Sequence, residues 1–178
     1  GGGFYTPTFT LYASAAHAEH ASSLRDAAEY RAGGFVQEQL TTRLSARAGW
    51  SASWRDARRQ RVFAGGARSA TLDLDWLATR RLAVYAGYQY RDGDLVSSAA
   101  DPPPAVLGAA RALADDDVFT GETAFRLSSS AHVGTLGVNL SLSPKLSLDL
   151  QTRHVEAEAD TGVHYRRTQT LVSLLWRN

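Results

Sequence analysis

The stretch that decides the fold runs from Leu40 to Trp54 and has the sequence LTTRLSARAGWSASW. Its even-numbered positions are apolar or small, and its odd-numbered positions are mostly polar. Because successive side chains of a strand point to opposite sides, this alternation predicts a β-strand with one apolar face. The run is longer than the roughly 4–8 residues over which a soluble, half-buried strand alternates. Its apolar face also carries Trp50 and Trp54, which is typical of a strand that crosses a bilayer.

Composition narrows the class of protein. The 178 residues suit one domain or two small ones; 44% are hydrophobic, 21% are charged, and the formal net charge is +1. This balance excludes a disordered polyampholyte and predicts no general attraction to nucleic acid. No apolar run approaches the roughly 18 residues of a membrane helix, so entry into a membrane would require a barrel. The absence of cysteine excludes disulfides, thiolate metal sites and cysteine nucleophiles.

The amino terminus shows no export signal. The chain lacks methionine and begins with Gly1 to Gly3, without a basic region followed by an apolar one. We therefore expect a processed terminus from which any signal peptide has been removed. A secreted or periplasm-exposed origin is compatible with this expectation.

A weak internal repeat predicts three tight turns. Leu40 to Leu44, Leu77 to Leu82 and Leu142 to Leu146 each contain a leucine, two or three small residues, a cation and a second leucine. Each second leucine opens a new alternating run, which indicates a hairpin, although none of the three carries the Asn-Gly or Asp-Gly pair. Longer polar connections lie between these hairpins, at Arg55 to Arg68, Arg91 to Asp117 and, more briefly, Glu156 to Gly162.

The amino-terminal part and one later segment are less regular. Phe4 to His20 predicts strand one, Ala21 to Glu29 a loop, and Tyr30 to Leu40 strand two. The predicted apolar face of strand one consists of Phe9, Leu11, Ala13 and Ala15. The faces of strand two stay open because Glu38 has the same parity as its apolar neighbours. Phe119 to Ser130 is either loop or an outward extension of strand six.

The layout of short turns and longer loops resembles the small eight-stranded outer-membrane barrels of Gram-negative bacteria, the OmpA, OmpX and OmpW types. Two strands for each outward hairpin give about eight strands. Tyr165 to Trp176 is similar to the C-terminal strand that the barrel-assembly machinery recognises, although Arg177 and Asn178 follow the aromatic residue. The resemblance implies an all-β fold, a transmembrane antiparallel up-and-down barrel over residues 1–178. Short periplasmic turns, longer extracellular loops and two periplasmic termini in the bacterial outer membrane would follow.

Both faces of the predicted strands have candidate roles. Aromatic girdles at the two membrane surfaces would consist of Trp54, Tyr88 and Tyr90 at the loop end and of Trp76 and Trp176 at the turn end. Charges on the opposite face are Arg47, Asp73, Asp75, Asp149 and Arg153. Because eight strands enclose a space that side chains can fill, we expect these charges to form a salt-bridged lumen network, with a functional relay as the alternative. A soluble sandwich or lipocalin-like barrel stays open, since alternation does not reveal which face is inside.

The arginine-rich connection suggests contact with polyanions. Four arginines lie in its first seven residues: Arg55, Arg58, Arg59 and Arg61. Because the guanidinium group suits bidentate contact with phosphate, we expect these residues to bind lipopolysaccharide phosphates at the outer rim. The alternative is a solvated loop, or one paired with Asp115 to Asp117.

Few residues suggest catalysis or metal binding. Ser130-Ala-His132, with Glu156 or Glu158, is similar to the His-x-Ser motif and distant Glu of outer-membrane lipid A deacylases, but in reverse order. Serine catalysis needs a base within hydrogen-bond reach, which sequence does not reveal. The histidines His17, His20, His154 and His164 could bind a divalent metal but lack a fixed spacing, so we expect exposed histidines, no metal and no cofactor.

Three functions remain from the sequence. The first is a non-enzymatic outer-membrane barrel that acts in structure, docking or surface interaction through its loops. The second is a barrel subunit of a larger export or pore complex, and the third is a lipid A-modifying enzyme. Expected partners are outer-membrane lipids, lipopolysaccharide, the barrel-assembly machinery and other outer-membrane subunits, without nucleic acid.

Overall fold

The fold was analysed in a computed structural model that describes residues 6–20, 22–160 and 162–176. The described strands are β1 (Thr8–Ala18), β2 (Ala27–Gln39), β3 (Leu44–Asp56), β4 (Gly65–Leu77), β5 (Leu82–Ala99), β6 (Ala112–Asp115), β7 (Thr123–Ser143), β8 (Leu146–Ala159) and β9 (His164–Trp176). Helical segments are α1 (Pro104–Ala109) and two 3-10 turns, Ser23–Arg25 and Arg61–Phe63. The predicted beginning of strand one at Phe4, the expectation about Gly1 to Gly3, and Arg177 with Asn178 lie outside the described residues.

The strands form one antiparallel sheet with an up-and-down topology. Its order is β1-β2-β3-β4-β5-β7-β8-β9, so sequence neighbours pair along the whole meander, apart from β6, which pairs only with the beginning of β7. The predicted all-β, antiparallel up-and-down architecture is therefore confirmed. The predicted eight strands correspond to the eight long ones. The sheet is not closed by hydrogen bonds over the described residues, and β1 and β9 are its edges.

A hydroxyl side chain accepts backbone hydrogen bonds at each of the three turns. Ser143 Oγ accepts one, from Lys145 at 3.2 Å, and the other two hydroxyls accept two each. Thr41 Oγ1 accepts hydrogen bonds from the backbone N–H groups of Arg43 and Leu44, at 3.1 and 3.0 Å. Thr79 Oγ1 accepts the equivalent pair from Arg81 and Leu82, at 3.2 and 3.1 Å. Such local hydrogen bonds favour turns over continued strand. The turns between β2 and β3, β4 and β5, and β7 and β8 lie at the three predicted places.

The strands extend further toward the loop end than the sequence predicts. Residues 93–99, predicted as loop, continue β5 and pair with residues 123–129 of β7. The uncertain segment from Phe119 is therefore an outward strand extension from Thr123 onward. The predicted loop at Arg55 to Arg68 is also shorter, because β4 begins at Gly65. The predicted loop at Ala21 to Glu29 ends earlier than expected, because β2 begins at Ala27. Polar composition did not prevent pairing, since each of these segments has a hydrogen-bonded neighbour strand.

The apolar face of the sheet is exposed along the meander. Leu136 and Leu174 are 59% and 65% exposed, and Phe9 of β1 is 74% exposed. Register settles the open question in β2, because Glu38 pairs with Ala46 and so lies on the same face as the exposed Trp50 and Trp54. None of the described helices is long and apolar enough to cross a membrane.

The buried core is small and lies at the loop end. One cluster packs Val62 and Phe63 of the second 3-10 turn against Ala27 of β2 and Ala124 of β7. A second cluster packs Val106 of α1 on the far end of β7. Because β2 and β7 are not neighbours in the sheet, the first cluster requires the sheet to curve strongly.

At two places in the sheet a tyrosine ring packs over a glycine of the neighbouring strand. Tyr85 and Gly137 are register partners in β5 and β7, and a Cβ added at Gly137 would overlap the Tyr85 ring. Tyr12 covers Gly33 in the same way in β1 and β2. A large ring thus occupies the space that the glycine leaves, as in aromatic rescue of glycine.

We predict that Gly137→Ala destabilises the fold by about 1–3 kcal/mol, because the added methyl group must displace the Tyr85 ring. The matched control is Gly134→Ala in the same strand, where a Cβ would meet nothing within 4 Å and the change should stay within about 0.5 kcal/mol. Urea titration followed by tryptophan fluorescence measures both. Equal costs for the two variants would contradict the proposed packing.

Candidate functional site

Two cavities follow the polar face of the curved sheet. The larger, about 1050 Å³, lies toward the loops and is lined by residues that include Arg31, Arg55 and Arg91. The smaller, about 520 Å³, lies toward the turns and is lined by residues that include Arg47 and Asp73. We call them the loop-end cavity and the turn-end cavity. Polar side chains thus line both cavities, whereas the long apolar side chains are mostly exposed on the opposite face.

The predicted lumen network lies on this inward face. Four of its members line the turn-end cavity: Arg47, Asp73, Asp75 and Arg153. The fifth, Asp149, accepts hydrogen bonds from Tyr85 Oη at 3.1 Å and from Asn139 Nδ2 at 3.4 Å. The Arg47 guanidinium lies 3.6 Å from the centre of the Phe35 ring, a cation–π contact. Among the ion pairs of the described residues none joins two of the five. These charges therefore share a face, and four of them share a cavity, without direct pairing.

The four arginines predicted to contact lipopolysaccharide divide into two groups. Arg55 faces the loop-end cavity, where its guanidinium lies 2.8 Å from His20 Nε2 and donates to the backbone oxygen of Arg25 at 3.1 Å. Arg58, Arg59 and Arg61 are exposed in the connection between β3 and β4. Arg59 also donates a hydrogen bond to the Ser23 hydroxyl. Contact with lipopolysaccharide stays a prediction for these three arginines.

A buried ion cluster joins two distant loops. Asp116 has a fully buried side chain and pairs with Arg25. It also accepts hydrogen bonds from the Ser98 hydroxyl and from the backbone N–H groups of Val118 and Phe119, the last two at 2.8 and 2.9 Å. Arg25 Nε donates to Asp117 at 2.9 Å. This set, Arg25, Ser98, Asp116 and Asp117, is called the latch.

The latch corrects one expectation and adds residues that the sequence analysis missed. The aspartates were considered as partners for the arginine-rich connection between β3 and β4, but they pair with Arg25 of the first loop instead. The Arg25 guanidinium also lies 4.6 Å from the centre of the Phe63 ring, within the first core cluster. The latch therefore holds the β1–β2 connection against the segment that follows β6.

The pKa shifts of the latch follow from its hydrogen bonds. Burial alone raises the pKa of Asp116, but the hydrogen bonds from Ser98, Phe119, Val118 and Arg25 outweigh it and hold that pKa well below its usual range. A hydrogen bond from Ser22, together with Arg25, lowers the pKa of Asp117. The hydrogen bond to Asp117 is the main cause that raises the pKa of Arg25. The latch is thus fully ionised at neutral pH.

A second group of polar residues lies on the outward face near the loop end. His132 of β7 is the register partner of Glu156 of β8 and of Tyr90 of β5, and its Nδ1 lies 2.7 Å from Tyr88 Oη. Ser130 lies on the same face of β7, two residues before His132. We call Ser130, His132 and Glu156 the outer patch. The structure thus places the three candidate catalytic residues on one face, but no hydrogen bond among the described residues joins any two of them. Glu156 instead accepts a hydrogen bond from Arg166 at 2.8 Å.

The remaining candidates are placed as follows. The girdle residues Trp54, Trp76, Tyr88, Tyr90 and Trp176 are all exposed. His154 Nδ1 lies 2.8 Å from the Thr168 hydroxyl, and His164 Nε2 lies 3.7 Å from Glu158. In the part of the chain that the structure describes, no three His, Cys, Asp or Glu side chains are placed to hold a metal ion.

We predict that acid opens the latch. Because folding lowers the pKa of Asp116, its contribution to stability is complete above the ordinary value of 3.8 and is lost as the pH falls through the lower folded value. Hydrogen exchange of residues 110–122, corrected for intrinsic rates, should show protection at pH 5 and loss of protection near pH 2. Asp116→Asn should raise exchange at pH 7 at least ten-fold, because it removes one partner of a buried ion pair.

The control for this experiment is Asp101→Asn, which changes an exposed aspartate of the same connection. It should leave the exchange of residues 110–122 within two-fold of the unmodified chain. Equal protection in the Asp116 variant and the Asp101 variant would contradict a stabilising latch.

Comparison with known proteins assigns no family to the chain. No protein-family model matches it, and no curated protein matches it. The features that bear on function are therefore structural: the exposed apolar face, the two cavities and the residues at the loop end.

Proposed function

We propose that the chain is a membrane-spanning β-barrel of the bacterial outer membrane and acts through its loops in structure, docking or surface interaction, without catalysis. The observation that carries the proposal is the exposure of the long apolar side chains while polar ones face the cavities. A soluble sandwich or lipocalin-like barrel buries its apolar face. Exposed apolar surface costs roughly 25 cal/mol per Å² in water, and contact with lipid removes this cost.

The size of the apolar face supports a membrane span. The outward residues of β3 extend from Leu44 to Trp54, which matches the roughly 9–11 residues of a tilted transmembrane strand. Exposed aromatic residues lie toward both ends of the face, with Trp76 at the turn end and Trp54 at the loop end. Such girdles are typical of transmembrane barrels.

A membrane span requires the sheet to close. Unpaired backbone groups are not tolerated in hydrocarbon, so β1 and β9 need partners there. With eight long strands in an up-and-down order, β1 and β9 run antiparallel and can pair with each other. The latch and the first core cluster already hold the β1–β2 connection to the β6–β7 side of the sheet. Closure of β1 on β9 is therefore part of the proposal.

Exposed loops supply the proposed contacts. Arg58, Arg59 and Arg61 would bind lipopolysaccharide phosphates, because planar guanidinium groups make bidentate hydrogen bonds to phosphate oxygens.

The alternative function is that of a subunit in a larger export or pore complex. In that complex the two edge strands, β1 and β9, would pair with strands of other subunits and not with each other. The native mass of the purified chain distinguishes the two, because the alternative requires an assembly larger than one copy.

Consecutive residues of β8 test the orientation of the faces. Leu150 is exposed on the outward face, whereas Gln151 lines the turn-end cavity. Leu150→Arg should cost about 2–4 kcal/mol on folding into lipid vesicles, because it places a charge against hydrocarbon. Gln151→Arg should cost under about 1 kcal/mol, since its new charge faces the cavity. Urea titration in vesicles and heat-dependent migration in detergent gels measure both. Equal costs, or a chain that stays folded in solution without detergent, would overturn the membrane proposal.

A lipid-directed hydrolase is the second candidate, and the outer patch is the observation that favours it. Ser130, His132 and Glu156 share the outward face, where an acyl ester of a membrane lipid would lie. Ser130 Oγ would attack the ester carbonyl while His132 takes its proton and returns it to the leaving alcohol, and water would then release the fatty acid. The contact of His132 with Tyr88 and that of Glu156 with Arg166 would both have to change first.

Lipid A from cells that express the chain tests this candidate. If the outer patch is catalytic, mass spectrometry should show lipid A that lacks one acyl chain, and Ser130→Ala should restore the full mass. Ser147→Ala, a serine of β8 near the turns, is the control and should leave the loss unchanged. Unaltered lipid A would exclude the hydrolase and leave the non-catalytic function.

A further inference from the structure

We propose that the loop-end cavity binds an organic anion that carries phosphate groups, held by Arg31, Arg55 and Arg91. This goes beyond the proposed role of the exposed loops, because the site lies inside the mouth of the sheet. It also gives Arg55 a role different from rim contact. The cavity combines open space, unused hydrogen-bond donors and an excess of positive charge.

Small residues create the space. A single row of register partners crosses β1 to β5 and consists of Ser14, Arg31, Ser53, Ala67 and Gly93. Apart from Arg31, no side chain in this row is long enough to fill the interior. Gly93 has a φ of 152°, and a Cβ there would overlap the backbone of β4. The resulting cavity of about 1050 Å³ is as large as typical ligand pockets, which span roughly 300–1,000 Å³.

Each of the three arginines has guanidinium N–H groups that donate no hydrogen bond within the described residues. Over the described residues, Arg31 makes no ion pair or hydrogen bond, and Arg91 donates to the backbone oxygen of Asp94 at 3.1 Å without a carboxylate partner. The Nε of Arg55 is buried and lacks a hydrogen-bond partner, and its nearest carboxylate oxygen, on Glu29, is 3.8 Å away. Because a guanidinium group has five N–H donors and no acceptor, these groups favour an anion.

The carboxylates of the cavity do not cancel this charge. Glu29, Asp94 and Glu122 also line the cavity. Asp94 Oδ2 accepts the Gly66 N–H at 2.8 Å. Its Oδ1 makes no hydrogen bond, but it lies 3.7 Å from Arg111 and 4.0 Å from Arg126, which offset its charge. The remaining two carboxylates face three arginines. Positive charge in a cleft concentrates anions from solution.

The wall of the cavity selects an organic anion over a bare phosphate ion. Phe63 and Phe119 both line the cavity, and they offer apolar contact to a carbon skeleton. Arg31 of β2 and Arg91 of β5 lie on strands separated by β3 and β4. This separation suits an extended organic phosphate, such as a sugar bisphosphate with a phosphate at each end or the glycerol phosphate part of a phospholipid.

Calorimetric titration of the full chain, folded in detergent, tests the site with fructose 1,6-bisphosphate. We expect binding in the submillimolar range that weakens with added salt, and no binding of neutral fructose. The double variant Arg31→Gln, Arg91→Gln should weaken binding at least ten-fold, because two charge-assisted contacts are lost. The matched control, Arg47→Gln with Arg153→Gln, removes the same charge from the turn-end cavity and should change the affinity less than two-fold.

A second titration with dihexanoyl phosphatidic acid distinguishes a lipid source from a soluble one. Binding of the sugar bisphosphate supports a soluble ligand, and binding of the phospholipid alone supports a headgroup in the same site. Failure of both probes, or equal weakening in the two double variants, overturns the proposal. Heat-dependent migration must be the same for all variants, so that loss of folding is not mistaken for loss of the site. The result is independent of membrane insertion, because the titrations use detergent.

Discussion

The architecture depends on the register of the antiparallel ladders. From β2 to β9, each ladder of the meander pairs even-numbered residues with even-numbered residues along almost its whole length. Because register partners lie on the same face, the outward direction of the apolar residues in β3 is imposed on every later strand. A slip of one residue anywhere would reverse the faces from that point onward. The hydroxyls of Thr41 and Thr79 contribute to this register, since they fix the turns at which two hairpins reverse.

The regular parity ends at Gly93. Below this glycine, even-numbered residues of β5 such as Tyr88 face outward, whereas above it Asp94 and Ser98 line the loop-end cavity. The backbone at Gly93 adopts a φ of 152°, which residues with a Cβ rarely adopt. The strand and its register continue beyond Gly93, but residues of both parities there, Ser97 as well as Ser98, line the cavity. This segment supplies Ser98 to the latch and Asp94 to the cavity, so one glycine separates a uniform apolar region from a region of specific contacts.

Local pattern was sufficient for the regular region and insufficient for the loop end. The turns, the alternating faces and the antiparallel order follow from Leu40 to Trp54 and its repeats, because short-range spacing determines them. Asp115 to Asp117 has the composition of a solvated acidic run. The buried state of Asp116 depends on partners that the local sequence does not reveal, above all Arg25, which is 91 residues away, and Ser98. The outward placement of Ser130, His132 and Glu156 could be inferred from parity once the register of β7 and β8 was known. Arg55 is odd-numbered, like the inward residues of β3, so the same parity predicts an inward side chain. Its sequence context is that of a polar loop, in which alternation does not apply.

The small core explains why the surrounding medium is central to the proposed function. Nine apolar residues are buried over the described chain, and eight of them belong to the two clusters at the loop end. The meander below those clusters therefore has its ladders but almost no packed interior. Hydrogen bonds contribute only about 0.5–1.5 kcal/mol each on a net basis in water, which is comparable with the entropy lost per ordered residue, about 1–2 kcal/mol for the backbone alone. In hydrocarbon, by contrast, an unpaired backbone N–H or C=O group has no water to hydrogen-bond with. The hydrogen-bonded ladder is therefore favoured over unpaired strands. On this argument the loop end is stabilised by its own contacts, whereas the meander depends on lipid around its outward face.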